Sequence, residues 1–304
     1  MKETPLPRAT VSLSTLLLAL LPLSLAGCGG SDSGSGSGSG GGSSSGGSSD
    51  SGSDDAAEDE DSGSGGSRPG GGRRGDKTPK AEVLGTEDVD STEMGALYGE
   101  IRTTEKDREG FPIGARQKSE CKHHPDVEHL SELILISGGK VQNAYVYIKS
   151  GYDDDAVPAA PTEPVTLDQK GCIYTPHVLG IRAGQKLLVA NSDPTNHNVN
   201  VLARRNEGGN KNMGRGQAPV EYVFPRPEVG IRFKCDIHPW MGARVHVAEH
   251  PWYAITGKDG KFRIPDVPPG DYTIEVVHEQ LGKTRGKVTV EAGKATGFAL
   301  TLDG

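Results

Sequence analysis

Between Gly29 and Gly75 the chain holds 18 glycines and 15 serines in 47 positions. Such a stretch buries too little apolar surface to offset the entropy of ordering its backbone, so it reads as a flexible tether outside any packed unit. What can fold is confined to the remainder. From Asp76 to Gly304 there are 229 residues, enough for one large domain or two ordinary ones with real cores. The tether also carries much of the charge: eight carboxylates oppose Arg68, Arg73 and Arg74, which leaves −5 of the formal −8. The first 28 residues contribute +1, so the folded part is close to −4. That balance argues against a basic surface for nucleic acid.

Lys2 and Arg8 precede an apolar run from Val11 to Ala26. The run is too short and too interrupted by Pro and Ser for a transmembrane helix, but it suits the apolar core of a secretory signal. It ends in Leu25, Ala26, Gly27 and Cys28, which resembles the bacterial lipobox. The resemblance implies that residues 1–28 are a lipoprotein signal segment, and that acyl chains on Cys28 hold the protein in a bilayer. The spacer at 29–80 would then float the folded part roughly 40 Å from the surface, at about 5–6 Å × √n for about 50 flexible residues. The expected location is periplasmic or cell-surface. Gly29, in place of an aspartate after the cysteine, favours the outer membrane.

Export also decides how the cysteines are counted. There are four, Cys28, Cys121, Cys172 and Cys235, in a compartment where paired thiols oxidise. With Cys28 lipidated and Cys235 needed elsewhere, Cys121 and Cys172 remain for a bridge. Closing a loop of about 50 residues is worth about 4 kcal/mol in the chain-entropy account. A second metal site, from Cys121 with His123 and His124 or from Cys172 with His177, lacks the paired CxxC spacing such sites use.

Beyond the tether the periodicity is almost wholly that of strands. Ala96–Arg102, Val141–Ile148, Lys186–Ala190, Asn198–Leu202, Val220–Phe224, Gly230–Lys234 and Ala243–Val247 are short and apolar or alternating, with turn residues between them. A second set follows at Tyr253–Thr256, Lys261–Ile264, Tyr272–His278, Lys287–Val290 and Phe298–Leu302. One brief helix is predicted near Val127–Leu133. The pattern predicts an all-β protein of two Greek-key sandwiches, the first over 81–248 and the second over 249–304, packed together without a long linker. Asp153–Pro164 and Arg204–Pro219 read as inserted loops.

Chemistry concentrates in two segments. One is Asn191-Ser-Asp-Pro-Thr-Asn-His197-Asn198-Val199; the other is Cys235-Asp-Ile-His238-Pro-Trp-Met241. The second places a thiolate, an imidazole and a thioether on one tight loop. A further imidazole from His197 completes a trigonal His2Cys set with a weak axial methionine, the donor set of mononuclear blue copper. Thiolate and thioether favour Cu(I) while imidazole accepts Cu(II), so a compromise geometry reduces rearrangement when an electron moves.

These residues resemble the cupredoxins, most closely the amicyanin type with its short C-x2-H-x2-M spacing. The resemblance runs over roughly Gly95–Ala248. It implies one type 1 copper ligated by His197, Cys235, His238 and Met241, with Asn198 tying the two segments together by hydrogen bonds. It further implies a one-electron carrier without catalytic residues, its partner docking on an apolar patch where the His238 edge emerges beside Trp240. Arg204, Arg205, Lys211 and Arg215 would steer an acidic redox partner. The alternatives are a periplasmic copper carrier or store, and a surface binding module with structural copper. A binuclear purple site needs two cysteines in the ligand loop, and multicopper oxidases need paired His-x-His ligands; neither is present. His246, His250 and His278 are expected to pack or hydrogen-bond within the sandwiches.

The remaining stretch carries Thr256-Gly-Lys-Asp-Gly-Lys-Phe262-Arg-Ile264 and Val267-Pro-Pro-Gly270-Asp-Tyr272. It resembles the carboxypeptidase regulatory-like, transthyretin-like sandwich. That family implies a structural or docking role, and no nucleophile with a base, carboxylate pair or phosphate loop occurs in the stretch.

Overall fold

The computed structural model describes residues Thr78–Asp303. The signal segment, Cys28 and the tether up to residue 77 lie outside the described residues. The strands are β1 (Glu82–Asp88), β2 (Gly95–Arg102), β3 (Ile136–Ser137), β4 (Lys140–Val141), β5 (Tyr145–Ser150), β6 (Val165–Gln169), β7 (Tyr174–Thr175), β8 (Val178–Arg182), β9 (Lys186–Asn191) and β10 (His197–Leu202). They continue as β11 (Gly209–Met213), β12 (Val220–Val223), β13 (Glu228–Lys234), β14 (Gly242–Ala248), β15 (Tyr253–Ile255), β16 (Lys261–Val267), β17 (Gly270–His278), β18 (Gly282–Val290) and β19 (Lys294–Thr301). Single 3-10 turns lie at Gly114–Gln117, Ser119–Cys121 and Asp154–Ala156. The protein is all-β. Among the described residues no helix is long and apolar enough to cross a membrane.

Alternation shows why these segments pair as they do. Along β13, Ile231 and Phe233 are buried while Arg232 between them is exposed, and β16 buries Phe262 and Ile264 around an exposed Arg263. With a side-chain period of two, each strand offers one face to a core and one to water. Four sheets result, facing each other in pairs. The order β11-β10-β13-β14-β8 packs on β12-β9-β6-β7 across a core that includes Leu167, Leu187, Val199, Phe224 and Phe233. The order β1-β19-β2-β4-β3, with β16 also on β2, packs on β15-β5-β17-β18 across a core that includes Leu97, Ile148, Ile274 and Phe298.

The strands are shared out differently from the expected division at Ala248. β2 pairs with β19 and β16, and β5 pairs with β17 and β15. The first five strands therefore belong with the last five, and β6–β14 form a sandwich inserted between them. The first sandwich thus does not begin at residue 81 but with β6, and the second is built from both ends of the described chain. Sheet membership is a long-range property, so a strand such as Gly95–Arg102 carries no local mark of the sheet it joins.

Three smaller differences have local causes. The predicted helix at Val127–Leu133 is extended: Leu130 bridges Pro112, and Ser131 N–H donates to Phe111 O at 2.8 Å, so tertiary pairing satisfies the backbone that a helix would have satisfied internally. Arg204–Pro219 contains β11, paired with β10 from His197↔Met213 to Val201↔Gly209. The predicted strand Val141–Ile148 is broken at Asn143, whose φ of 63° lies in the left-handed region.

Candidate metal centre

The site forms at one end of the inserted sandwich, where β10 begins and β13 ends. Asn200 pairs with Lys234 in antiparallel register, so the residues just beyond the ladder, Asn198 and Asp236, face each other. This brings the two chemical segments together. Ahead of β10, Asn191 Nδ2 donates to Thr195 O at 3.0 Å and Asp193 N–H donates to Asn191 Oδ1 at 3.0 Å, which closes the turn and delivers His197 to the first position of the strand. After β13, Met241 N–H donates to His238 O at 2.9 Å and Cys235 N–H donates to Met241 O at 3.3 Å, closing a compact loop.

Three donor atoms converge. Nδ1 of His197 and Nδ1 of His238 lie 3.0 Å apart, and each lies 3.9 Å from Cys235 Sγ. The triangle can be tested against a metal. A cation in its plane, about 2.0 Å from each nitrogen, falls about 2.3 Å from the sulfur, and these are the metal–nitrogen and metal–thiolate lengths that proteins use. The donor set therefore fits a soft or borderline cation without rearrangement. Met241 is buried in the same core cluster as Cys235. Exposure is 1% for His197, 2% for Cys235, 5% for His238 and 1% for Met241, so all four are closed off from water.

The groups around the donors orient them. Asn198 Oδ1 accepts from the Cys235 thiol at 3.3 Å, from Asp236 N–H at 2.7 Å and from Ile237 N–H at 3.4 Å, while its Nδ2 donates to Asp236 Oδ2 at 2.9 Å. Asp193 performs the same service for His197. Its Oδ2 meets His197 Nε2 at 2.9 Å, which in the neutral ring leaves Nδ1 as the lone-pair side facing the triangle. Asp193 also accepts from the N–H groups of Gly171 at 2.6 Å and Cys172 at 2.8 Å.

The charge states follow from these contacts. Burial disfavours ionisation of Cys235, but the hydrogen bond from His197 and the loop's backbone N–H groups outweigh it and lower the thiol below its ordinary value. Burial and the neighbouring His197 push His238 down. For His197 burial is opposed and overcome by Asp193 and Cys235, which raise it. Asp193, also buried, is held low by His197 and the two backbone donors.

Cys121 and Cys172 form a disulfide across a separation of 51 residues. Cys172 sits with Gly171 in the hairpin between β6 and β7, both with positive φ, 68° and 54°, as a type I′ turn demands. Gly is at ease there and Cys is not; Asp193 and the bridge hold Cys172 in place. The disulfide stands against the centre: Cys172 Sγ lies 4.0 Å from His238 Nε2, and Trp240 Nε1 donates to Cys172 O at 2.9 Å. A Cβ on Gly114 would fall 2.6 Å from the Trp240 ring, so only glycine lets that segment lie on the indole.

Of the remaining histidines, His124 lies beside the centre, its Nε2 3.2 Å from Asp193 Oδ1. His124 Nε2 meets Ser192 O at 3.1 Å, and His177 pairs with Glu279, so neither joins a cysteine. His246 stacks on Tyr145 at 4.1 Å, His250 meets Ile148 O at 2.8 Å, and His278 Nδ1 accepts from two backbone N–H groups. Sequence reasoning quoted Asp193 without giving it a role. Its signal was its position four residues ahead of His197 in a turn-forming segment.

Residues 236–303 match the carboxypeptidase regulatory-like domain family. The match begins inside the Cys235–Met241 loop and leaves out β1–β5, which complete that sandwich here. Among solved structures the chain is similar to a Cu-containing nitrite reductase from Thermus scotoductus SA-01, at 25% identity over 31% of this chain and 24% of that one, with a TM-score of 0.27. It is similar to a purple cupredoxin from Nitrosopumilus maritimus, at 26% identity over 25% of this chain and 82% of that one, TM-score 0.22. A methionine-to-alanine mutant of amicyanin in the Cu(I) form is similar at 19% identity over 34% of this chain and 98% of its own, TM-score 0.26. The chain thus spans about a quarter of the nitrite reductase's length. No curated protein matches it in sequence.

Proposed function

We propose that this chain is an exported, lipid-anchored type 1 copper protein that passes single electrons, with copper held by His197, Cys235, His238 and Met241 and the anchor at Cys28. One observation carries the reading: two imidazole Nδ1 atoms and one thiol sulfur, all buried, in a triangle of 3.0, 3.9 and 3.9 Å. Bound there by His197, Cys235, His238 and Met241, copper would supply a one-electron couple tuned by its thiolate and thioether donors. The chain's own part is to fix the donors. Asn198 holds the Cys235 loop and Asp193 fixes the His197 tautomer, so the site changes little between oxidation states. A copper carrier needs ligands that a partner can reach, and burial of all four favours the electron carrier over it. The β1–β5 and β15–β19 sandwich is given a structural or docking role.

The test is metal stoichiometry with an optical spectrum. One copper per chain should bind with an intense visible thiolate-to-Cu(II) band, and Cys235→Ser should remove the band without unfolding the protein. Stoichiometric Cu(II) with only a pale spectrum in the unmutated chain would rule the reading out.

A further inference from the structure

The His238 ring spans the wall of the centre. Its Nδ1 belongs to the donor triangle, and its Nε2 points the other way, at Cys172 Sγ 4.0 Å off. Of the four expected ligands it is the most exposed, at 5%. An electron exchanged with the outside therefore has its shortest route through this ring. Yet little of the ring reaches water. The buried Cys121–Cys172 bridge and the segment carrying Cys121 lie over it.

That segment is anchored at both ends. Gly114 lies on the Trp240 ring, whose centroid is 5.3 Å from that of His238, and Cys121 is bonded to Cys172. Between and just beyond the anchors, Arg116, Lys118 and Lys122 are exposed, opposed only by half-buried Glu120. By contrast Arg204 and Arg205 follow the far end of β10. At about 3.3 Å per residue they stand roughly 20 Å along from His197, too far to guide a partner to this wall.

We propose that electrons enter and leave through the disulfide-bonded cover, and that the redox partner is an acidic electron-carrier protein seated over Arg116, Lys118 and Lys122. This rests on the copper reading above. The cover excludes water from His238 and supplies the attraction that an exposed histidine edge would lack. Like-signed charges at the port raise the encounter rate with an anionic partner in a salt-dependent way.

Two measurements on the full chain test it. In the metal-free protein, titration with hexacyanocobaltate(III), a redox-inert trianion, should shift the amide resonances of residues 116–122; shifts confined to residues 204–205 would overturn the proposal. In the copper-loaded, reduced protein, oxidation by hexacyanoferrate(III) or by tris(phenanthroline)cobalt(III) is followed by growth of the visible band. Each oxidant takes one electron, Cu(I) becoming Cu(II) as Fe(III) or Co(III) becomes Fe(II) or Co(II). Lys118→Glu with Lys122→Glu should slow the anionic oxidant about tenfold at low salt and quicken the cationic one, both differences closing at high salt. Arg204→Glu with Arg205→Glu should change neither rate by more than about twofold. If the charge-reversed pair fails to fold, Lys118→Gln with Lys122→Gln should give a smaller change of the same sign. Oxidation that proceeds normally but ignores these substitutions sinks the port and leaves the copper reading standing; failure of both oxidants to react sinks both.

Discussion

The two sandwiches bury polar groups to different ends. In the one built from β1–β5 and β15–β19, several buried polar side chains are each settled with partners of their own. His250 meets Ile148 O, Thr256 donates to Val141 O, and Glu275 takes Tyr147 and Arg285. In the β6–β14 sandwich, His197, His238 and Cys235 instead turn their donor atoms toward one another at a single point. Burying a polar group is costly unless it is hydrogen-bonded, so dispersed pairs close the account locally and need nothing further. Donor atoms that converge while their outer edges are held by Asp193 and Asn198 are arranged for a cation. Burial alone therefore does not mark a site; convergence does.

The largest break in this comparison comes from dividing the chain where its sequence suggests. A fragment of residues 249–303 lacks Leu97, Ile101, Val146 and Ile148 from its core, and the central strand β2 between β19 and β16. It should show no cooperative unfolding by circular dichroism, whereas residues 78–303 should. A sharp two-state transition in the short fragment would contradict the shared core.

A smaller effect sharpens the contrast between packing and chemistry. Phe298→Ala in one core and Phe233→Ala in the other should each cost about 3–5 kcal/mol in denaturant unfolding, because both rings are fully buried. Only Phe233→Ala, two residues from Cys235, should shift the visible copper band. Equal spectral shifts in both variants would mean that the cores are not separate.

The smallest effect probes what joins the two. Glu279, after β17, meets His177 and takes Arg244 Nε at 2.9 Å, both from the inserted sandwich. Burial opposes its ionisation, but His177 and Arg244 outweigh burial and hold the carboxyl below its ordinary value. A carboxyl lowered on folding stabilises the folded state above its unfolded value of about 4.3, and the contribution is lost as pH falls through the folded value. Glu279→Gln should therefore cost about 1–3 kcal/mol at neutral pH, with the difference from the parent shrinking below about pH 4. A difference that stays constant down to low pH would show that the ion pairs do not couple the sandwiches.

Much of this was legible from residues alone. Short alternating runs gave the strand class because a two-residue period is local, and most of the predicted strands lie within observed ones. The residue types that converge were legible because C-x2-H-x2-M places a thiol, an imidazole and a thioether on one turn. Other features were hidden. β1, β3, β6, β7, β8 and β11 escaped detection; Gly209–Met213, for example, has almost no apolar pattern and is held as a strand by its pairing with β10. The helix predicted at Val127–Leu133 failed because its backbone partners lie at residues 111–113, beyond any helical window.

What the sequence determines by itself is therefore chemistry and period: a β-only fold, a soft donor set of one thiolate, two imidazoles and a thioether, and a Gly/Ser stretch that cannot pack. These are properties of residue types and of spacings within a few positions. The tertiary structure decides which strands share a core, that β1–β5 close the sandwich begun at the other end of the described chain, and that a disulfide and a basic segment lie over His238. Each of those depends on contacts between residues tens to hundreds of positions apart, where loop-closure entropy and burial, and no local preference, select the partner.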